Sequence, residues 1–269
     1  MSRCNCNGSF YKVMNILKNI LFYISVPKCA CCGERLLKNE LALCKVCKEK
    51  YNNLVQFNCS ICSKIYSECT CTNRYLDAHF VHKHIKVFRY FQEDKTDETT
   101  PPTNALIYSL KQDHRADVLE FLTNEIVRAI RASVSNPESY VFTSVPRRKA
   151  AIVEYGFDHA ELLARQVAKK LGAKYLKTGY SLAKRAQKKA ANSSERITNV
   201  KFKLRNPKLD LSSKNVILID DIVTTGASMG YMATLLKGAG AKAITAASIA
   251  IAYRDRSTRF HTGDRFSPK

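Results

Sequence analysis

The chain has 269 residues, 45% of them apolar, so it can bury a core, and disorder is excluded as the default reading. It contains no run of 18 apolar residues, which excludes a predicted transmembrane helix. The formal charge is +21 and is not confined to a tail: residues 1–80 hold 11 basic and 5 acidic side chains, and the remainder hold 33 and 18. Such a field raises the local concentration of phosphate-bearing partners, small or polymeric. Solvated surface lysines are the plainer source of the same excess.

The first segment, residues 1–26, is read as an amphipathic leader. Phe10, Val13, Met14, Leu17, Leu21 and Ile24 recur at helical spacing, with Lys12 and Lys18 beside the stripe. Packing on the body of the protein is expected, with contact to a membrane surface as the alternative. The broken apolar core and the lack of a small-residue cleavage site argue against a secretory signal.

All 11 cysteines lie before residue 72. Cys29-x2-Cys32 and Cys44-x2-Cys47 are two knuckles, each able to turn two thiolates inward, and together they make a tetrahedral zinc site. Gly33 suits the positive φ that such a knuckle needs. Cys59-x2-Cys62 with Cys69-x-Cys71 forms a second candidate, with a less usual one-residue spacer in its last pair. Cys4, Cys6 and Cys31 are left over. Four thiolates close a site to water, so the zinc is expected to be structural. In a module as short as 27–80 it would supply folding energy. Thiols kept for metal imply a reducing compartment, hence a cytoplasmic location.

Beyond the cysteines, His84–Phe91 alternates as a strand. Residues 92–104 hold two prolines and no large apolar side chain, and are read as a flexible loop. Ala105–Lys111 and Ala116–Ser133 are predicted helices, the second with Val118, Leu119, Leu122, Ile126 and Ile130 on one face. Tyr140–Val145 is a predicted strand ending at Pro146. Gly156–Leu171 is a predicted helix, Tyr175–Tyr180 a strand, and 183–205 a basic stretch without early periodicity. Val216–Ile219 is an apolar strand, Ser228–Gly238 a helix, Ile244–Ala252 a buried strand, and 255–269 a basic tail. Strands alternating with helices, in near-continuous apolar runs, predict an α/β fold with a parallel sheet over 81–254.

The segment from Val216 to Ser228 carries the most chemistry. A buried strand runs into Asp220 and Asp221, then the loop Ile222-Val223-Thr224-Thr225-Gly226, then a helix starting near Ala227 and Ser228. At the carboxyl end of a parallel strand such residues reach the ligand crevice. Backbone N–H groups and the helix N-terminus suit a phosphate dianion, Gly226 permits its close approach, and Thr224, Thr225 and Ser228 add hydroxyls. Two carboxylates beside a phosphate cradle would repel it. Ribose hydroxyls, with magnesium nearby, give the acids donors and a counter-charge, so a ribose 5-phosphate satisfies both halves.

These thirteen residues resemble the phosphoribosyl-pyrophosphate signature of type I phosphoribosyltransferases. The cysteine knuckles, Ser144-Val145-Pro146-Arg147-Arg148-Lys149, Tyr155-Gly156-Phe157-Asp158-His159-Ala160-Glu161-Leu162-Leu163-Ala164, and the pattern Gln187, Ser194, Arg196 and Asn199-Val200 resemble the ComF family over roughly 10–252. That resemblance implies a type I phosphoribosyltransferase-like sheet flanked by helices behind a small zinc-ribbon-like module. It further implies phosphoribosyl pyrophosphate with magnesium as ligand, a link to natural competence, and single-stranded DNA and DNA-uptake proteins as partners. It places Pro146 and Arg147 in the loop that meets pyrophosphate, where Arg148 and Lys149 are also suited; a generic basic turn is the bland alternative. Asp158 is either on the acceptor side or only an N-cap, and His159 is more often structural than catalytic at such a place. The basic stretch from Lys184 to Arg205 lies near the mobile loop of the related enzymes. The chain departs from the family in the insertion 92–104 and at Lys188-Lys189-Ala190-Ala191-Asn192.

Three functions are consistent with these residues. One is a pentosyl transferase in which Asp220 and Asp221 hold ribose, Thr224–Ser228 hold the 5-phosphate and Arg147 stabilises departing pyrophosphate. Another is a single-stranded DNA-handling scaffold, with Phe88, Tyr90 and Phe91 around Arg89 as stacking candidates or sheet core. The third is a sensor without turnover. Replacing Asp220 and Asp221 together by alanine is expected to abolish ligand binding and leave the fold intact.

Overall fold

The computed structural model describes residues 27–59, 61–91, 100–112, 115–182 and 201–252, without the side chain of Tyr155. The leader, Cys4, Cys6, residues 92–99 of the insertion, residues 183–200 of the basic stretch with Gln187, Ser194, Arg196 and Asn199-Val200, and the tail from 253 lie outside them.

The described elements are α1 (Lys45–Val55), α2 (Arg74–Ala78), β1 (Val81–Arg89), α3 (Pro102–Gln112), α4 (Ala116–Ser133), β2 (Val141–Ser144), α5 (Lys149–Tyr155), α6 (His159–Lys170), β3 (Lys174–Tyr175), β4 (Gly179–Ser181), β5 (Phe202–Leu204), β6 (Asn215–Val223), α7 (Ala227–Gly238) and β7 (Ala243–Ile251). Five strands form one sheet in the order β1-β7-β6-β2-β3, all pairs parallel. β4 and β5 form a separate antiparallel ribbon. The expected parallel α/β sheet flanked by helices is present.

Alternation along the strands divides the core in two. Ile217 and Ile219 of β6, with Ala247 and Ile249 of β7, face α4 and α6 through Leu122, Ile126, Leu163 and Val167. Val216 and Leu218, with Ile244 and Ala246, face α7 through Met232, Ala233 and Leu236. In α4 the stripe Val118, Leu122, Ile126 and Ile130 is fully buried, as its spacing predicts.

The cysteine segment packs on the first of these faces. Leu43, Cys47 and Tyr51 join the core of β1, α3 and α4. The buried Tyr51 ring meets Phe88 and Phe121 edge-on, and its hydroxyl donates to Glu125 Oε2 at 3.1 Å. This segment therefore draws stability from the sheet as well as from any metal. Phe88 is fully buried, so it belongs to the core and offers no stacking surface.

Several boundaries differ from the sequence expectation. β6 runs to Val223, so Asp220 and Asp221 lie within the strand and not after it. Tyr175–Tyr180 divides into β3 and β4, which join different sheets. A Cβ on Gly179 would lie 2.8 Å from Met232 Cε and 3.1 Å from Pro146 Cγ, so a larger residue at the break would have to displace the Met232 side chain. The helix expected from Gly156 begins at His159 behind the Asp158 cap, and α5 precedes it, closed by Gly156 at φ +77°. The insertion is shorter at its base than expected. Pro102 to Asn104 are buried in the first turn of α3. The Asn104 amide accepts from Phe91 N at 3.1 Å and donates to Phe91 O at 2.7 Å, pinching the insertion closed. No helix among the described residues is long and apolar enough to cross a membrane.

Candidate functional site

β2 ends at Ser144, opposite Ile219 of β6, and Val145 N makes the last bond across, to Ile219 O at 2.9 Å. Among the described residues, β6 continues for four residues with β7 alone paired beside it, as far as the pairs Ile222–Ala250 and Val223–Ile251. Asp220 to Val223 thus form a ledge at the carboxyl end of the sheet, where parallel α/β folds place their ligands. The loop Thr224–Gly226 follows. Thr224 is exposed, Thr225 half-buried, and Gly226 and Ala227 buried. Gly226 caps α7 at φ +82°, and a Cβ there would meet Leu76 at 3.0 Å. The Thr225 hydroxyl accepts from Ala227 N at 3.3 Å, and Ser228 is half-buried in the first turn.

Because adjacent strand residues alternate, the two acids leave β6 on opposite faces. Asp221 is buried on the α3 and α4 side. Its Oδ2 meets the Arg147 guanidinium at 2.6 Å and the Lys111 ammonium at 3.2 Å, and its Oδ1 accepts from Ile222 N at 2.7 Å. Burial alone would raise its pKa, but Lys111 and Arg147 outweigh burial and hold it well below the usual carboxylate range. Asp220 lies on the α7 side, half-buried, with Oδ1 accepting from Asp221 N at 2.9 Å. Burial, then the neighbouring Asp221 charge, push its pKa well above the usual range, against the pull of Arg147. Neighbours of like chemistry thus differ in character: Asp221 is ionised and paired, whereas among the described residues Asp220 has no comparable ion pair.

Pro146 and Arg147 lie in the loop after β2, as the sequence predicts. Arg147 is held at both ends: its backbone N donates to Asp158 Oδ2 at 3.2 Å, and its side chain binds Asp221. Asp158 also caps α6 through Glu161 N at 3.1 Å, so its N-cap role is present. Arg148 precedes α5 and pairs with Glu154 at 3.4 Å, and Lys149 opens that helix exposed to solvent. His159 is fully buried, with its ring beside that of Phe157. Lys111 was not singled out by sequence reasoning. Its one signal is its place in the last turn of a predicted helix, which says nothing of a partner 110 positions away.

The cysteines form two sulfur clusters. Within Cys29, Cys32, Cys44 and Cys47, and within Cys59, Cys62, Cys69 and Cys71, all sulfurs lie within 4.8 Å of one another. A tetrahedral ion with thiolate arms of about 2.3 Å needs sulfurs roughly 3.8 Å apart. Cys32 Sγ and Cys44 Sγ are 3.7 Å apart, so this first set fits. The knuckles share one geometry: Gly33 N donates to Cys29 O at 3.0 Å and Ser63 N to Cys59 O at 2.8 Å, with positive φ at Gly33 and Ser63. Cys44 caps α1, whose positive end favours thiolates. Burial opposes ionisation of Cys29, yet the backbone N–H groups of Cys32, Cys44 and Cys31 bring its pKa down to about 7. Cys31 stays outside the cluster, with its Sγ 3.7 Å from Thr100 O.

Residues 158–264 match the phosphoribosyl transferase domain family. The DNA utilization protein YhgH of Escherichia coli K12 is 24% identical over 206 residues, covering 69% of this chain and 86% of that protein. The protein of the same name from Salmonella typhi is 26% identical over 154 residues, covering 54% and 65%. Among solved structures, a purine phosphoribosyltransferase from Pyrococcus horikoshii shares 19% identity at a TM-score of 0.34, covering 50% of this chain and 80% of that one. An adenine phosphoribosyl transferase from Trypanosoma brucei shares 15% at 0.35, covering 58% and 76%. Residues 158–264 are thus similar to phosphoribosyl transferase domains, and the chain is similar over much of its length to proteins named for DNA utilization, in line with the resemblance read from its sequence.

The Asp221 ion pair makes one part of this geometry measurable. Its folded-state pKa is depressed, so its stabilisation is complete above about pH 4 and is lost as pH falls below that value. Asp221→Asn should cost about 2–3 kcal/mol at pH 7, below the range for a fully buried pair because Lys111 and Arg147 are 21% and 19% exposed. In urea unfolding the gap from the parent chain should narrow toward about pH 2.5; a gap independent of pH would contradict the pairing. The double alanine replacement would also remove this pair, so it should lower stability as well as ligand binding.

Proposed function

We propose that this chain, a ComF-like protein with a type I phosphoribosyltransferase fold, binds 5-phosphoribosyl 1-pyrophosphate at the β6 ledge and transfers its phosphoribosyl group. The carrying observation is the division of the two acids. Lys111 and Arg147 neutralise Asp221, so only Asp220 faces the side on which Gly226 opens α7. The repulsion expected from two carboxylates beside a phosphate cradle is thereby halved, and the remaining acid is placed for ribose hydroxyls.

In this reading Thr224, Thr225, Gly226, Ala227 and Ser228 hold the 5-phosphate through backbone N–H groups, hydroxyls and the helix N-terminus. Asp220 accepts from the ribose hydroxyls. The raised pKa of Asp220 fits a ligand that arrives with magnesium, which would be held at that carboxylate and would offset pyrophosphate charge. Pro146 shapes the loop that carries Arg147, and Arg147, Lys111, Arg148 and Lys149 place cations where pyrophosphate departs. Bond breaking at the anomeric carbon builds positive charge on the sugar, which the Asp220 carboxylate stabilises. The two cysteine clusters hold structural zinc, and their reduced thiols fit a cytoplasmic location. The proposed organisation is a cysteine module over 27–80 and the catalytic domain over 81–254.

Contact with single-stranded DNA is a second role, favoured by the +21 charge and by relatives named for DNA utilization. Proteins of the DNA-uptake machinery would then be partners in natural competence.

Asp220→Asn, which leaves the Asp221 pair in place, should weaken phosphoribosyl pyrophosphate binding about tenfold or more in calorimetry with magnesium. Equal affinity in parent and variant would contradict the site. Elemental analysis of protein purified without chelator should find two zinc ions per chain, and finding none would remove the metal assignment. Single-stranded DNA affinity should fall steeply with salt, at roughly 0.7 in log K per log salt for each phosphate neutralised; a flat response would contradict the second role.

A further inference from the structure

The second cysteine cluster is not remote from the phosphate loop. Two residues after Cys71, Asn73 caps α2 by accepting from Leu76 N at 2.8 Å, and its amide donates to Thr225 O at 3.4 Å. α2 then lies along the start of α7. Leu76, 1% exposed, fills the space over Gly226, where a Cβ would meet it at 3.0 Å. Tyr75 and His79, stacked at 4.1 Å, cover Gly230 one turn later, where a Cβ would meet Tyr75 at 2.7 Å. A side chain at either glycine would press on α2: Tyr75 would have to move for one at Gly230, and Leu76 would have to give for one at Gly226, which is also strained by its φ of +82°.

The segment before α2 is fixed to the sheet. Lys86, 1% exposed, donates through Nζ to Cys71 O at 2.9 Å, His84 O at 3.2 Å and Cys69 O at 3.3 Å. His84 N donates to Thr70 O at 3.0 Å. Cys59, Tyr66 and Cys69 pack on Ile251, the β7 residue paired with Val223 at the end of the ledge. The first cluster belongs instead to the core of β1, α3 and α4.

We infer that the second cysteine cluster positions the phosphate loop: metal held by Cys59, Cys62, Cys69 and Cys71 fixes Asn73, and Asn73 fixes Thr225. The affinity of the β6 ledge for a sugar phosphate then depends on occupancy of this cluster and not of the first. Asn73 is a positioning residue, acting through Thr225. The ligand half of this inference rests on the function proposed above, whereas the mechanical half does not.

The test compares hydrogen exchange at residues 224–230 in the full chain and three variants, with zinc content measured for each. Asn73→Asp keeps the oxygen that caps α2 and removes the donor to Thr225. Cys62→Ser opens the second cluster, and Cys32→Ser opens the first. Asn73→Asp should raise exchange at 224–230 roughly tenfold with two zinc ions retained and little change in the global unfolding midpoint. Cys62→Ser should do the same with one zinc lost, and Cys32→Ser should lose one zinc and leave 224–230 protected. The inference is overturned if Asn73→Asp leaves that protection unchanged, or if the two cysteine variants affect the loop equally. Should Cys62→Ser not fold, chelator titration of Cys32→Ser decides: protection at 224–230 should fall as its remaining zinc leaves, and unchanged protection would overturn the inference. Phosphoribosyl pyrophosphate affinity should fall about tenfold in Asn73→Asp. A parent chain that does not bind this ligand would refute the proposed function, while the exchange data would still decide the positioning role.

Discussion

One ion pair lets the rest of the site exist. A phosphate cradle beside two carboxylates is electrostatically frustrated unless one charge is removed. Here the alternation of a β-strand sends Asp221 to the far face, where Arg147 and Lys111 meet it at 2.6 and 3.2 Å. The pair also ties three separate pieces of chain together: the last turn of α3, the loop after β2 and the end of β6. Asp158 adds a fourth by holding the backbone of Arg147 while capping α6. The ledge is therefore tied together by largely buried charges, and in the proposed function Asp220 and the Gly226 turn face the ligand.

Two supports hold this ledge from opposite faces. On one face, α3, α4 and the first cysteine cluster share a core, with Tyr51 locked between Phe88, Phe121 and Glu125. On the other, α2 lies against the glycines of α7 and is fixed by the second cluster and the buried Lys86 ammonium. The cysteine segment is thus part of how the sheet presents its carboxyl edge.

Much of this was legible in the sequence, for physical reasons. Uninterrupted apolar runs such as Val216–Ile219 and the Val118–Ile130 stripe carry their own period, and cysteine spacing carries ligand geometry. The acids of β6 were read as following the strand because charge interrupts the apolar run, although pairing with β7 continues beneath them. α5 was missed because its start, Lys149, reads as the end of a basic loop. Lys111 and Asn73 were missed for a different reason. Each acts on a residue more than a hundred positions away, and no local pattern encodes a contact of that range.

The central claim is that main-chain amides around Gly226 hold a phosphate while Asp220 faces the sugar. Backbone amide NMR during titration with ribose 5-phosphate tests it most directly. The account predicts the largest shifts at Thr225, Gly226 and Ala227, with smaller ones at Asp220 and little change at the cysteine knuckles. Shifts concentrated elsewhere, with residues 224–227 unmoved at saturation, would contradict it.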